Sequence, residues 1–255
     1  MGAKRTWLGP LAALAVSVAG WEAVSAWMAL PLFLPPPRTV GVTAWRLLVG
    51  GELPEHVAVS LQRLGVGLLI GVPLGVLLGS AMGRFRIVDG LFDPFLRVAN
   101  ATPALALIPF SLLWFGVTEA ARYALLVYTV ALTVTLNARH GVRRVPAIRL
   151  KAASALGVSG RGAFFRVIIP SAVPSIIAGI RTAIGLGVMV IVAAEMLGAT
   201  SGLGFLLMES RSHFNVERMF VGILGLGALS LVLDLGFAFA IERGMPRWSA
   251  ARRVR

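Results

Sequence analysis

No cysteine occurs in the 255 residues, which excludes disulfides and thiolate chemistry and leaves the compartment open. Charge is scarce too. Asp, Glu, Lys and Arg make up 14% of the chain, against about 25% in soluble domains. The three histidines, His56, His140 and His213, lie far apart and no HExxH pair is present, so neither a metal site nor a catalytic constellation is expected. A GxxxxGK[ST] phosphate loop is also missing, so hydrolysis of ATP by this chain is not expected. Gly65-x-Gly67 sits inside an apolar run with no strand before it, which makes a dinucleotide turn a poor reading. No linker, low-complexity tract or repeat is visible.

What is present is apolar surface. Hydrophobic residues account for 57% of the chain even without its 29 glycines, and mean hydropathy is +0.85. A soluble protein of this length could not hide so much from water. The net charge of +13 would point to nucleic acid in a soluble protein. Here the basic residues fall in short segments between apolar runs, the positive-inside pattern of membrane proteins. No aromatic-and-basic platform that stacks bases is visible, so no nucleic-acid partner is expected.

A helix needs about 20 apolar residues to cross a bilayer. Six runs are candidates: 7–28, 61–82, 99–115, 120–136, 175–197 and 220–241. The first follows a basic start. It is long enough to span, and no small-x-small site precedes Pro31, so a membrane helix is read there rather than a cleaved signal peptide. Glycine and proline inside spans are tolerated because neighbouring helices satisfy the freed backbone groups. Gly65, Gly67, Gly71, Gly75 and Gly79 offer small faces for close helix packing. Pro35-Pro36-Pro37 reads as a stiff extended stretch. The expectation is an all-α integral membrane protein with about six transmembrane helices, one domain over 1–255 with its core at 57–242.

Orientation follows from Lys and Arg. With six spans both termini share a side, and that side carries 16 of the 24 basic residues against 5 on the other; Arg63, Arg97 and Arg181 lie in or beside spans. The bias puts both termini, and the long loop 139–170, in the cytoplasm. In that loop AIRLKAASAL (147–156) brings Ile148, Ala152, Ala155 and Leu156 round at helical spacing. Gly157 offers a stop, Ser159 a cap for a second short helix toward Val167, and Pro170 and Pro174 an end before the fifth span. Ala152, Ala153 and Ser154 would let another surface approach closely. A hairpin lying on lipid headgroups fits the same spacing.

The run KAASALGVSGRGAFFRVIIPSAVPSIIAGIR resembles the EAA loop of binding-protein-dependent ABC transporter permeases. Ala152, Ala153, Gly157, Ile169 and Pro170 match that pattern, and Lys151 stands where the family usually has Glu. LPPPRTV, HVAVSLQRLGVGLLIGVPLGVLLG, TPALALIPFSLLWFG, AAEMLGATSGLGFLL and the closing DLGFAFAIER are similar to the nitrate/sulfonate/taurine subfamily, in order and at fitting separations. The resemblance implies the type I importer permease fold in a bacterial inner membrane. It implies a second permease subunit, often identical, and two cytoplasmic ATPases that hold the ATP and Mg and dock on the loop. It also implies a periplasmic or lipid-anchored binding protein. This chain would bind no cofactor. The coupling residues would be Ile148, Lys151, Ala152, Ala153, Ser154, Leu156, Gly157 and Pro170. The family's Glu would pair with a basic group on the ATPase, which Lys151 cannot do; either the ATPase compensates with an acid or that contact is absent. Sulfonates, taurine and nitrate are the first expectation for substrate, while similar permeases carry thiamine-precursor pyrimidines or riboflavin.

Ionisable groups inside the membrane default to functional suspicion. Arg63 would reach the outer interface or pair with an acid. Glu195 would line the path or brace an outer gate, the reading the family pattern favours. Asp234 and Glu22 read as helix–helix or interfacial hydrogen-bonders. Asn100, Thr102 and Pro103 would line a pathway, as a proline-broken polar segment does, or simply cap a helix. Ser201-Gly202-Leu203-Gly204 would be a plain turn or, by the resemblance, a gate loop. A channel or secondary carrier would leave the cytoplasmic loop without a partner. A membrane-embedded enzyme would need clustered His, Asp and Glu within spans, and the sequence offers none.

Overall fold

A computed structural model describes residues 8–28 and 33–245, and among them every regular element is helical. The helices are α1 (Leu8–Met28), α2 (Pro37–Val49), α3 (Glu52–Arg84), α4 (Arg86–Ala101), α5 (Ile108–Phe115), α6 (Glu119–Arg143), α7 (Ala147–Ala155), α8 (Gly160–Ala163), α9 (Ile169–Met196), α10 (Leu203–Ser212) and α11 (Val216–Gly244). The basic start and end, 1–7 and 246–255, lie outside the described residues, as does Pro31.

The core is α3, α6 and α9. One face of α3 is buried along nearly its whole length: His56, Ser60, Arg63 and Leu64, then Gly67, Gly71, Gly75, Gly79 and Met82. The glycines recur every fourth residue, which keeps them on one stripe. A β-carbon there would meet α6 at each step: 2.6 Å from Leu126 Cβ for Gly67, 2.7 Å from Val130 Cβ for Gly71, and 2.7 Å from Val134 Cβ for Gly75. The series continues with Ala138 at Gly79 and Val142 at Gly83. The offset along the two chains is constant, so α3 and α6 run parallel, backbone close to backbone. Gly65 was expected in this seam and is not; nothing lies within 4 Å of its β-position. It is 200° round the helix from Gly67. Gly83 completes the seam instead.

α9 runs antiparallel to α6, with Gly141 against Ala172 and Ser175, and Gly179 against Asn137. Val130, Val134 and Ala183 fill the middle of this contact. Arg181 on α9 donates from Nε and Nη2, one edge of its guanidinium, to both carboxylate oxygens of Asp234 on α11, which makes Asp234 the helix–helix partner expected of it. At the far end Val40 and Leu47 of α2 pack with Val221 of α11, Trp21 of α1 stacks on Phe220 at 5.3 Å, and Glu22 lies 3.8 Å from Arg38.

Among the described residues four continuous helices are long and apolar enough to cross a membrane, and a bent pair of helices would make a fifth if it is one span. The first expected span is α1, whose fully described part, 12–28, is apolar but shorter than a span. The third expected span, 99–115, is not one helix. α4 ends at Ala101, Thr102 is extended at φ −91° and ψ 118°, and a 3-10 turn Ala104–Leu107 leads into α5. The two halves meet at 93°. Pro103 explains the break: its ring excludes the helical conformation from Thr102, and it has no N–H to continue the ladder. Residues 86–98, expected in a loop, are helical and form the first limb of the bent pair. Asp89 and Asp93 bind Arg139 at 2.7 and 2.5 Å, and Arg143 also binds Asp89.

The hairpin also differs from expectation. Pro170 and Pro174 do not end its second helix, which runs unbroken over 160–196. A π-helical turn, Phe164–Ile168, precedes Pro170, and Ile169 donates to Phe164 O, five residues back. This wider turn shifts the hydrogen-bond register where the proline has no donor to offer. Pro37 starts α2 rather than prolonging an extended stretch, as suits a residue with no N–H to satisfy at the first helical position.

Candidate functional site

Three features stand out along the axis of the bundle. The first is a buried ionic clasp at the end where α3 begins. His56, Ser60 and Arg63 follow one another at four- and three-residue spacing, so they share the face that carries the glycines lower down. Arg63 reaches in two directions. Its Nη1 donates to Glu195 Oε1 at 2.8 Å and to Ser201 O at 2.7 Å. Its Nε and Nη2 grip both oxygens of Glu119 at 2.8 and 2.7 Å. Arg122 joins Glu119 at 2.9 Å and donates to Gly198 O at 2.6 Å. The Glu195 carboxylate, with no exposed side-chain surface, accepts further bonds from Ser60 Oγ at 2.8 Å and the Gly204 N–H at 2.9 Å.

Two acids and two arginines thus neutralise one another, as the buried Arg63, Arg122 and Glu195 require, while the Glu119 side chain stays 46% exposed; their remaining bonds hold the segment 197–204. The Leu203 N–H donates to Ser60 Oγ at 2.9 Å and the Gly202 N–H to His56 Nδ1 at 3.1 Å. Gly202 is at φ +115°, and a β-carbon there would run into the Glu195 carboxylate. Only glycine satisfies both conditions.

The second feature is a groove of about 310 Å³ at the break between α4 and α5. Asn100, Thr102 and Pro103 line one wall, and Tyr128, Thr129 and Thr133 of α6 another. None of its lining residues is charged. Tyr128 donates to Ala99 O at 3.1 Å, tying the end of α4 to α6.

The third feature is the hairpin. α7 stands clear of the bundle with Ala153 alone buried. It closes with the Val158 N–H on Ala153 O at 2.8 Å and the Gly157 N–H on Ser154 O at 3.0 Å, a Schellman ending with Gly157 in the left-handed region at φ +76°. Open space surrounds the β-position of Gly157. Ile148 is 71% and Leu156 82% exposed.

The family described as "Binding-protein-dependent transport system inner membrane component" matches residues 71–245. The chain belongs to this family of importer permeases. The taurine transport system permease protein TauC of Escherichia coli (strain K12) is 32% identical over 89% of this permease and 84% of TauC. SsuC of the same organism, a permease protein assigned to aliphatic sulfonates transport, is 34% identical over 98% and 93%. The nitrate import permease protein NrtB of Synechococcus elongatus is 29% identical over 88% and 86%. The fold also resembles a chain of the MetNI methionine ABC transporter in inward-facing conformations, with a TM-score of 0.51, 21% identity, and 79% of this permease and 96% of that chain covered.

Within the permease the residues singled out from sequence fall into separate places. Ile148, Lys151, Ala152, Ser154, Leu156 and Gly157 are exposed on the hairpin, Ala153 is its buried footing, and Pro170 lies inside the following long helix. The expected face of Ile148, Ala152, Ala155 and Leu156 is turned to solvent. Asn100, Thr102 and Pro103 share the groove. Glu195, Ser201 and Gly202 belong to the clasp, away from that groove.

Sequence reasoning missed four clasp members: His56, Ser60, Glu119 and Arg122. The signal was there. The glycine stripe, followed toward the start of α3, runs directly into Arg63, Ser60 and His56.

Proposed function

We propose that this permease forms a homodimer, takes up a small anion such as a sulfonate, taurine or nitrate, and is driven by two ATPase subunits docked on the hairpin 147–157. The names of its relatives support the substrate class, and binding assays on the cognate binding protein would test it. The groove of Asn100, Thr102 and Pro103 supplies part of the path. The clasp braces the extracytoplasmic gate by fixing segment 197–204 to α3 and α6. ATP and Mg are held by the ATPase, and this chain hydrolyses nothing itself.

The observation that carries the coupling role is a helix exposed on nearly every side, stopped by a left-handed glycine. A side chain at Gly157 costs about 1 kcal/mol or more in backbone strain but meets no neighbour in the chain. Gly157→Asp is therefore expected to insert normally, yet to lose ATP-driven uptake and co-purification of the ATPase. Wild-type uptake with wild-type ATPase association would remove the hairpin from coupling.

Both termini and the hairpin are cytoplasmic in this reading, on the strength of the 16-to-5 basic bias. The absence of native cysteine makes the test clean. An Arg149→Cys variant is expected to resist an impermeant thiol reagent in intact cells and to react in inverted vesicles. Labelling from outside would refute the topology.

A further inference from the structure

α2 has 13 residues, about 20 Å of helix and too few to cross a bilayer, yet it is held at the edge of the apolar layer. The chain turns back beside α1 to reach it. Ser25 Oγ donates to Leu34 O at 2.8 Å and Trp21 Nε1 to Pro35 O at 3.1 Å. The buried side chains of α2, Val40 and Leu47, pack with Val221. Trp21, Phe220 and Val221 all belong to the apolar runs 7–28 and 220–241. Val42, Trp45 and Val49 recur on the opposite face and are exposed, Trp45 by 66%. Tryptophan on the outer face of a short helix at that level is the anchor of an interfacial segment.

Beside this stripe opens a groove of about 370 Å³, lined by Arg38, Thr39, Val42, Thr43 and Arg46 of α2 and by Glu217 of α11. Arg38 lies 3.8 Å from Glu22. Among the described residues neither Arg46 nor Glu217 has an ion-pair partner, and the Thr43 hydroxyl has no hydrogen bond. A cation and a carboxylate that share a groove without meeting suit a ligand that carries both signs. We propose that the groove binds the headgroup of an aminophospholipid. Its phosphate sits on Arg46 and Thr43, its primary ammonium on Glu217, and an acyl chain lies along Val42, Trp45 and Val49. Both polar contacts are charge-assisted hydrogen bonds, and Arg38 adds positive field at the phosphate. A small soluble zwitterion offers the same charges but nothing to cover the apolar stripe, so the stripe decides for a lipid.

The full-length permease, purified in a non-ionic detergent, is titrated with dioleoyl phosphatidylethanolamine or dioleoyl phosphatidylcholine, and bound lipid is read by native mass spectrometry. The two lipids share phosphate and chains, but the quaternary choline has no N–H to give Glu217. Wild type is expected to bind the ethanolamine lipid about tenfold more tightly, the worth of one charge-assisted hydrogen bond. Glu217→Gln is expected to remove that preference and leave the choline lipid unaffected. Arg46→Gln is expected to weaken both lipids about tenfold. Neither substitution removes an ion pair among the described residues, so both variants should keep the wild-type Tm in lipid-free detergent. The comparison of the two lipids on wild type needs no variant. Equal affinity for both lipids there, or wild-type lipid binding in both variants, would overturn the proposal. Displacement of the ethanolamine lipid by equimolar glycerophosphoethanolamine or taurine would assign the groove to a soluble zwitterion and overturn it as well.

Discussion

Replacing Arg63 with Met is expected to destabilise the permease by about 3–5 kcal/mol, the range for removing one partner of a buried ion pair. The cost does not come from a lost attraction alone. The Glu195 carboxylate, wholly shielded from solvent, would keep only the neutral donors Ser60 and Gly204. The Ser201 carbonyl would lose the guanidinium that fastens its segment. Glu119 would keep Arg122, so the damage concentrates on Glu195.

Lysine at 63 restores the charge but not the fork that serves Glu119 and Glu195 together, so Arg63→Lys should fall between wild type and Arg63→Met. Thermal unfolding followed by size-exclusion fluorescence in detergent should show a fall in Tm on the order of 10 °C for Arg63→Met. A wild-type Tm would mean that the clasp contributes nothing to stability.

Alanine at Gly79 is expected to cost about 1–3 kcal/mol, the range for overpacking a close-packed contact. Its methyl group would sit 2.8 Å from Ala138 Cβ and against the Thr135 carbonyl. Neither neighbour can swing away: one is backbone, the other has no rotamer to change. α3 and α6 would have to separate, opening the seam at Gly75 and Gly83 as well. Gly65→Ala is the control. It lies on the same helix with open space at its β-position, so the gain in helix propensity should leave it neutral or slightly stabilised. The same thermal measurement on both variants decides the matter, and equal shifts would refute the parallel seam.

Much of this architecture was legible before any coordinates. Apolar runs located the membrane helices because hydropathy is a local sum. Gly157 could be read as the hairpin turn because a helix ending in a left-handed residue depends on its own neighbours. The errors fell where local rules compete. Pro103 separates two helices that meet at 93°, while Pro170 and Pro174 lie in an unbroken helix. The difference is the π-helical turn at Phe164–Ile168, which no residue pattern announced. Gly65 and Gly67 look alike in sequence and face different surroundings, since two residues on a helix are about 200° apart.

Sequence by itself determined that this chain lives in a membrane, where four of its long apolar helices lie, which loop gathers positive charge, and to which permease family its motifs belong. Only the tertiary structure decided which charges meet. Arg63 finds Glu119 across 56 residues and Glu195 across 132, and His56 and Ser60 receive the N–H groups of Gly202 and Leu203. Such pairings depend on the rotation and axial offset of helices packed against one another. The glycine seam between α3 and α6 sets both, by allowing their backbones to approach in one register.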